Sequence, residues 1–414
     1  MPEFLELLPP DQARSLFLDT LKAKAEPEEV DTVIALGRTT YEPVIADQPL
    51  PSFPRSTVDG YAVRAADTYG ASESLPAYFT VTGEVPMGAA PGFSLEAAQC
   101  ALIHTGGMLP ESADAVVMVE YTQPVRNTEV EILRSVAFGE NVLKVGEDVS
   151  PGQEVIPSGA ILRPAEIGGL MALGLTRLRV ARQPHVAILS SGDEVVPPES
   201  EVRPGQVRDV NAYTLSALVQ AAGGLPQRYG IIPDRFEALQ DTAAQALSDS
   251  DLVVITAGSS ASERDLTSRI INELGQPGVL VHGVNVRPGK PTILGVCKGK
   301  AVIGLPGNPV SALVIASLFV TPVIHALLGC KTKIQSSVNA KLALNLPSQT
   351  GREDWVAVRL SPISGSSPSV YQADPVFGKS NLIFTLSRAD GLVRIPPEAT
   401  GLSAGEMVEV HLLE

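Results

Sequence analysis

Apolar residues recur at helical spacing near the start of the chain, where Leu16 and its neighbours follow a candidate helix cap at Asp11. A second short apolar segment over residues 30–36 gives a further helical signal. A proline at residue 164 is well placed for the first position of a helix over 164–173. The pattern therefore predicts helices at the N-terminus and after residue 164.

Shorter apolar runs separated by Gly and Pro turns are typical of β structure, and they occur in two parts of the chain. Between residues 50 and 143 the clearest runs cover 77–81, 115–119 and 130–133. After residue 331 they cover 341–346, 355–360 and 407–412, around a serine-rich turn at 361–369. We predict a compact β unit in each part.

Between residues 184 and 329, short buried strands alternate with amphipathic helices, which is the pattern of βαβ units with a parallel sheet. The predicted strands cover 185–189, 252–256 and 301–305. The helices have candidate caps at Asn211, Asp234 and Asp265. The sequence therefore predicts an α/β domain between two β-rich regions.

Composition narrows the possible functions. The chain has 414 residues, of which 44% are hydrophobic and 19% charged, so we expect several globular domains. A net charge of −15 disfavours nucleic acid as a partner. Cys100, Cys297 and Cys330 are too sparse for a disulfide framework, which together with a missing targeting signal favours the cytoplasm.

Residues 310–328 are long and apolar enough to resemble a membrane span, but Pro322 and His325 interrupt them. We predict a buried core helix there and no membrane association. His185 and His282 lie in apolar strand patterns and are expected to be core residues. No HExxH, Cys/His cluster or GxSxG motif occurs, which argues against zinc chemistry and a serine nucleophile.

Ligands of open α/β sheets bind at the carboxyl ends of the parallel strands. The GLPGNP segment at 304–309 is such a position. Gly304 and Gly307 would let backbone amides face an anion, Asn308 would cap the helix, and Pro309 would occupy its first position. A turn that caps a helix without any ligand would explain the same residues.

Other segments near the predicted strand ends carry polar groups. Lys290 offers a positive charge for an oxyanion, and Ser259, Ser260 and Ser262 offer hydroxyls on a flexible turn. The carboxylates of Glu194, Asp209 and Asp265 suit Mg²⁺ held between substrate phosphates. A structural role, including the helix cap at Asp265, is the alternative for each of these groups.

Together these motifs resemble the molybdopterin molybdenumtransferase family, the molybdenum insertases that include bacterial MoeA and the E domain of gephyrin. The likeness extends over nearly the whole chain. It rests on seven ordered segments: 35–38 (ALGR), 56–63 (STVDGYAV), 105–117 (TG followed by PESADAVV), 146–148 (GED), 192–194 (GDE), 287–291 (RPGKP) and 304–312 (GLPGNPVSA).

The resemblance implies an elongated multidomain subunit of class α/β plus β, with a MogA-like α/β domain of mostly parallel sheet and flanking β domains. The expected divisions are 1–46 with 144–180 as an N-terminal linker and dimerisation domain, 47–143 as an inserted small β domain, 181–330 as the molybdopterin-binding domain, and 331–414 as a C-terminal barrel-like domain. A homodimer is implied, with a MogA-like adenylyltransferase as a further partner. The implied reaction is Mg²⁺-dependent insertion of molybdate into adenylylated molybdopterin, with release of AMP.

The resemblance also implies roles for particular residues. Asp59, Asp234, Ser260 and Asp265 would be catalytic, and Glu194 and Asp265 would bind Mg²⁺. The substrate-binding set would be Arg287, Lys290, Pro291, Gly304, Pro306, Gly307, Asn308, Ser311, Arg352 and Ser380.

This chain departs from the family pattern at three positions. Residues 256–262 read TAGSSAS where the family has SGGVSVG, so two glycines are missing. Arg287 replaces a customary lysine, and Lys379 precedes Ser380 where a small residue is usual. These departures leave open a diverged carrier of molybdopterin or a nucleotide, or a structural scaffold. Retention of the charged site residues favours the working enzyme.

Overall fold

The computed structural model of the protein describes residues 7–126, 128–257, 261–331, 336–363 and 371–413, with the backbone alone for 261–265. The elements up to residue 181 are α1 (Pro10–Leu21), β1 (Pro27–Asp31), β2 (Val44–Ile45), β3 (Arg55–Ser56), β4 (Gly60–Val63), β5 (Ala77–Glu84), β6 (Gln99–Ile103), β7 (Ala115–Met118), β8 (Thr122–Arg126), β9 (Glu129–Ile132), β10 (Val142–Leu143), β11 (Glu154–Ile156), α2 (Pro164–Ala172) and β12 (Arg177–Ala181).

The chain leaves the N-terminal unit and returns to it. Strand β1 pairs antiparallel with β12 across 145 intervening residues, and β2 pairs with β11 across 108. The residues between form a separate sheet of order β7-β4-β6-β5-β9-β8, with an apolar cluster on each face. The prediction of a helical segment over 30–36 is wrong, because Val30 lies in β1 and a short 3₁₀ turn covers Thr32–Ile34.

The elements of the central α/β unit are β13 (His185–Ser191), β14 (Val195–Val196), β15 (Val207–Arg208), α3 (Asn211–Ala221), β16 (Leu225–Ile232), α4 (Phe236–Asp249), β17 (Leu252–Ala257), α5 (Ala261–Leu274), β18 (Pro277–His282), β19 (Val286–Arg287), β20 (Ile293–Cys297), β21 (Lys300–Pro306) and α6 (Pro309–Leu327).

The central sheet has the order β16-β13-β17-β21-β20-β18. Strands β16, β13, β17 and β21 are parallel to one another. Strand β20 pairs antiparallel with both β21 and β18, so within this sheet β20 runs against the direction of the other five strands. Alternate residues of β13 face opposite layers: Val186 and Ile188 pack with α1, α3 and α6, while Ala187 and Leu189 pack with α4 and α5. The parallel strands are buried on both faces, as their continuous apolar runs predict.

Helix α6 is the one described helix that is long and apolar enough to cross a membrane. It packs instead on the central sheet, where Ile315, Phe319 and Val323 are fully or almost fully buried in the main apolar cluster. The prediction of a buried core helix over this segment is confirmed. Pro322 lies inside the helix and does not end it.

Several predicted caps are wrong. Helix α1 already begins at Pro10, so Asp11 lies in its first turn and pairs with Arg14. Asn211 is the first residue of α3, where Asp209 accepts the N–H of Ala212 and does the capping. Helix α4 has Arg235 at its cap position instead of Asp234, and α5 begins at Ala261, so that Asp265 lies within the helix.

The prediction that His185 and His282 are core residues is also wrong. His185 begins β13 at the exposed end of the strand, and His282 ends β18 half-buried. An apolar run identifies the strand correctly but not the exposure of its terminal residues.

The C-terminal elements are β22 (Ser337–Leu342), β23 (Leu346–Pro347), β24 (Glu353–Pro362), β25 (Tyr371–Pro375), the short α7 (Phe384–Ser387), β26 (Gly391–Ile395), β27 (Gly401–Leu402) and β28 (Met407–Leu412). Because β26 pairs with both β28 and β24, the ring β24-β25-β22-β28-β26 closes around an apolar core. The predicted strand over 341–346 is interrupted after Leu342, and the serine-rich turn lies largely outside the described residues. The predicted fold class is confirmed.

Candidate active site at the edge of the parallel sheet

The three loops with the strongest sequence signals follow adjacent parallel strands. Ser190 in β13 lies beside Thr256 in β17, and Thr256 lies beside Leu305 in β21. The segments after these strands therefore emerge at one edge of the sheet. Thr256 is buried and its hydroxyl donates to the carbonyl of Leu189 at 3.3 Å, so it joins strands and does not face a ligand.

The GLPGNP segment joins β21 directly to α6. Gly304 lies within the buried strand, and a Cβ there would come within 3.0 Å of Thr267 and 3.2 Å of Ile293. Gly304 is thus closely packed against these side chains, which differs from the expected backbone approach to a ligand. Asn308 stands at the N-cap position without a side-chain hydrogen bond to the helix, and Pro309 occupies the first helical position as predicted.

The start of α6 is contacted from two sides. The carbonyl of Gly307 accepts a hydrogen bond from Nδ2 of Asn211 at 2.8 Å. The N–H of Val310 donates to the carbonyl of Ser380 at 3.0 Å, which brings the predicted Ser380 turn to the helix N-terminus. Within the described part of the chain no group accepts the N–H of Ser311, so one donor of the positive end of the helix remains available.

The 287–291 loop packs tightly against the same helix. Gly289 has a φ of +116°, and a Cβ there would stand 2.2 Å from Cγ1 of Ile315. Only glycine allows this approach. Lys290 is exposed beside it, and Pro291 lines a small pocket together with Ala257, Thr267, Ile293, Gly304, Leu305 and Pro306.

Two arginines of the predicted site share one buried carboxylate. Arg352 makes a bidentate pair with Asp354, with Nε to Oδ1 at 2.6 Å and Nη2 to Oδ2 at 2.9 Å. Nη1 of Arg287 lies 3.8 Å from Oδ2 of the same residue. Asp354 therefore links a loop of the α/β unit to the barrel, a role that the sequence analysis does not anticipate.

The other side of the sheet edge carries carboxylates. Asp234 accepts a hydrogen bond from the hydroxyl of Ser191, and its own N–H donates to Asp193 at 3.3 Å. Glu194 is exposed, and its carboxylate has no hydrogen-bond or ion-pair partner among the described residues. Ser260 and the side chain of Asp265 lie outside the described part of the structure.

Two buried polar atoms at this edge lack partners. The Oγ of Ser190 and the Oδ1 of Asn211 are shielded from solvent and make no hydrogen bond within the described part of the protein. Because leaving such groups unpaired is costly, they are candidates for contact with a ligand or with water. The sequence analysis predicts only a helix cap at Asn211, whereas its side-chain amide donates a hydrogen bond to the GLPGNP loop.

Asp59 lies in the inserted β unit, away from this edge. Its Oδ1 accepts two hydrogen bonds from Thr105, from the N–H at 2.7 Å and the hydroxyl at 3.0 Å. These bonds lower the pKa of Asp59 below its ordinary value, so the carboxylate is ionised at neutral pH. No hydrogen bond or ion pair among the described residues connects Asp59 to the α/β sheet.

Comparison with known proteins assigns families to nearly the whole chain. The "MoeA N-terminal region (domain I and II)" matches residues 8–174, the "Probable molybdopterin binding domain" matches 187–326, and the "MoeA C-terminal region (domain IV)" matches 339–413. Among curated relatives, the molybdopterin molybdenumtransferase of Nostoc sp. is 33% identical, with 97% of this chain and 92% of the relative covered. The enzyme of the same name from Haemophilus influenzae is 31% identical, with 97% and 99% covered.

Solved structures of similar proteins match nearly the whole chain. A molybdopterin biosynthesis moeA protein from Pyrococcus horikoshii superposes with a TM-score of 0.86 at 30% identity, covering 99% of this chain and all of that one. A second moeA structure from the same organism gives a TM-score of 0.82 at 37% identity, covering 98% of this chain and 99% of that one.

Proposed function

The chain belongs to the MoeA family of molybdopterin molybdenumtransferases, enzymes of molybdenum cofactor biosynthesis, and from that premise we propose that it inserts molybdate into adenylylated molybdopterin with Mg²⁺-dependent release of AMP. The observation that carries this proposal is the meeting of the 287–291 loop and the Ser380 turn at α6, with Arg352 joined to Arg287 of that loop through Asp354. Both substrates are anions, and these residues would supply positive charge for them.

Molybdate would bind between the cations and the helix N-terminus. Arg287, Lys290 and Arg352 supply positive charge, and the N–H of Ser311 supplies a backbone donor. Ser311 and Ser380 lie close to that donor, and their hydroxyls would complete the set of groups around the oxyanion. Fixed donors of this kind offset charge that shifts during the reaction without reorganising at that moment.

The donors at the carboxylate side of the edge fit Mg²⁺. This ion prefers oxygen ligands and is usually held by one or two carboxylates plus substrate phosphates. Glu194 has an uncommitted carboxylate and Asn211 an unpaired amide oxygen, while no group of three or more His, Cys, Asp or Glu residues gathers within the described residues. We propose Glu194 and Asp265 as the protein ligands, with the substrate providing the rest. Bound there, the ion would polarise the phosphoanhydride.

The chain's own residues would then assist AMP release. Asp234 holds Ser191 by a hydrogen bond at the end of β13, which keeps both groups at the sheet edge where the phosphates would lie. We assign Asp234 and Ser260 to stabilising the departing AMP, and Pro291, Gly304, Pro306, Gly307 and Asn308 to the wall of the nucleotide and pterin site.

Asp59 has no described contact with the α/β sheet, and we propose that a second subunit brings it to the cleft. We propose a homodimer, supported by exposed apolar side chains on the N-terminal unit: Val33 is 72% exposed, Ile34 69% and Leu36 60%. The proposed divisions are 1–46 with 144–180, 47–143, 181–330 and 331–414. We further propose that the protein works in the cytoplasm and receives its substrate from a MogA-like adenylyltransferase.

An AMP-release assay tests this function. Purified protein, adenylylated molybdopterin, Mg²⁺ and molybdate should yield AMP above a control without protein. Glu194→Gln should lower the rate of AMP release. Glu199 is an exposed carboxylate a few residues further along the chain, and Glu199→Gln should leave the rate unchanged. Substrate that binds without AMP release would favour the carrier function, which the missing glycines of the 256–262 loop support.

A further inference from the structure

Asp354 is a buried carboxylate placed between two arginines from different parts of the fold. Its side chain is 5% exposed, against 25% for Arg352 and 66% for Arg287. Residues 286 and 287 of β19 pair in parallel with residues 353 and 354 of β24, so Arg287 stands directly opposite Asp354. The carboxylate thus lies where the loop leading to Lys290 meets the barrel.

The pairing geometry leaves Arg352 able to bind an anion. A guanidinium has five N–H donors, and the two bonds to Asp354 use one edge formed by Nε and Nη2. Nη1, which has only a 3.4 Å contact with Oε1 of Gln349, and the second N–H of Nη2 remain available. A carboxylate that holds one edge of an arginine fixes the direction of the other edge.

The same carboxylate also sets the charge of the pocket. Arg287 and Arg352 carry two positive charges and Asp354 one negative charge, so the three linked groups are together cationic. Lys290 in the adjoining loop and Lys379 beside Ser380 add positive charge that would favour an anion. Without the carboxylate, two arginines would face each other across the junction with nothing to hold them at a fixed separation.

We propose that Asp354 is a positioning residue for the oxyanion pocket: it holds Arg352 and Arg287 as a preorganised receptor for a tetrahedral dianion. The inference rests on the proposed function for the identity of the anion as molybdate. It assigns the binding geometry to a residue that does not itself touch the substrate.

A neighbouring pair provides a matched control. Glu353, on the opposite face of β24, is buried and accepts two hydrogen bonds from Arg394, at 2.8 and 2.6 Å, and one from Trp355 at 2.7 Å. This pair connects the barrel to Asp11 of α1, and the side chains of Glu353 and Asp354 alternate along the strand. Glu353→Gln therefore imposes a comparable loss of a buried ion pair without disturbing the arginines of the site.

Calorimetric titration of the full-length protein with sodium molybdate separates the two roles. We expect Asp354→Asn to weaken molybdate binding at least tenfold, with Glu353→Gln within about twofold of the unsubstituted protein, at similar losses of melting temperature. Equal binding by Asp354→Asn and the unsubstituted protein would overturn the proposal, as would equal weakening by both variants. If the unsubstituted protein binds no molybdate, the proposed function fails together with this inference, which is a distinct result.

Arg352→Lys gives a second measurement that does not depend on folding of the Asp354 variant. Lysine keeps the charge but cannot form the bidentate pair, so we expect the same tenfold loss of molybdate affinity. Combining Arg352→Lys with Asp354→Asn should cause little further loss of affinity, because both substitutions remove the same bidentate pair. Full affinity in Arg352→Lys would overturn the proposal, since charge alone would then suffice.

Discussion

Gly289 positions the 287–291 loop through a contact that no other residue allows, and Gly289→Ala tests this directly. The added Cβ would stand 2.2 Å from Cγ1 and 2.3 Å from Cδ1 of Ile315. Ile315 is fully buried in α6, and a β-branched side chain in a helix has essentially one rotamer, so it cannot turn away. Either the helix or the loop must move.

The expected cost has two parts. A non-glycine residue at a φ of +116° costs about 1–3 kcal/mol, and overpacking a filled core costs a further ~1–3 kcal/mol. For a domain of this size we expect the melting temperature to fall by roughly 5–20 °C. Gly299→Ala is the matched control, since Gly299 has a φ of +77° but no atom within 4 Å of its added Cβ. It should show the backbone cost alone.

A double-mutant cycle identifies the contact. Ile315→Ala removes both clashing atoms, so in that background Gly289→Ala should cost only what the backbone conformation at a φ of +116° costs. Thermal and urea unfolding measure the cycle, and molybdate titration reports whether the loop has moved. If Gly289→Ala costs the same with Ile315 as with alanine at that position, the packing argument is refuted.

Three further predictions concern charge. Asp59→Asn should lower AMP release by about 10²–10⁴-fold with little change in melting temperature, because the carboxylate is exposed, and Glu73→Gln in the same β unit should leave the rate unchanged. Molybdate and tungstate have the same charge and shape, so their affinities by calorimetric titration should agree within a fewfold. A hundredfold preference would show that the pocket discriminates by a property other than charge. The hydrogen bonds from Arg163 lower the pKa of Glu166 from 4.5 to about 2, so its stabilising effect is present above pH 4.5 and is lost as pH falls toward 2. Melting temperatures of the unsubstituted protein and Glu166→Gln should therefore converge over that interval, and a constant difference would contradict this assignment.

Local patterns in the sequence identify the strands with the most continuous burial. Strands β13, β17 and β21 are found because their apolar runs are buried on both faces. Strand β16 is missed because Pro226, Arg228 and Gly230 interrupt its pattern near the edge of the sheet. The reversed direction of β20 relative to β21 and β18 depends on which strands pair, which no local pattern encodes.

In the candidate site, too, local features can be predicted from the sequence and long-range contacts cannot. The GLPGNP and RPGKP loops can be found from residue type alone, since each concentrates glycine and proline next to a predicted strand. The hydrogen bond from Val310 to Ser380 and the sharing of Asp354 by two arginines cannot, because their partners lie 67 or more positions apart in sequence. Spacing alone could have suggested the pair of Arg352 and Asp354, two residues apart at the start of a strand.

The position of Asp354 explains why the barrel belongs to the site. Strand β19 leaves the α/β unit to pair with β24, and Asn285 just before it accepts the N–H of Glu353 at 3.1 Å through its carbonyl. The loop that carries Lys290 is therefore held at its start by the barrel and further along, at Gly289, by α6. A change in the angle between these two units would separate Arg287 from Arg352 before it disturbed either core. The proposed oxyanion pocket would depend on that angle, so a subunit interface that fixed the angle would also fix the affinity for the oxyanion.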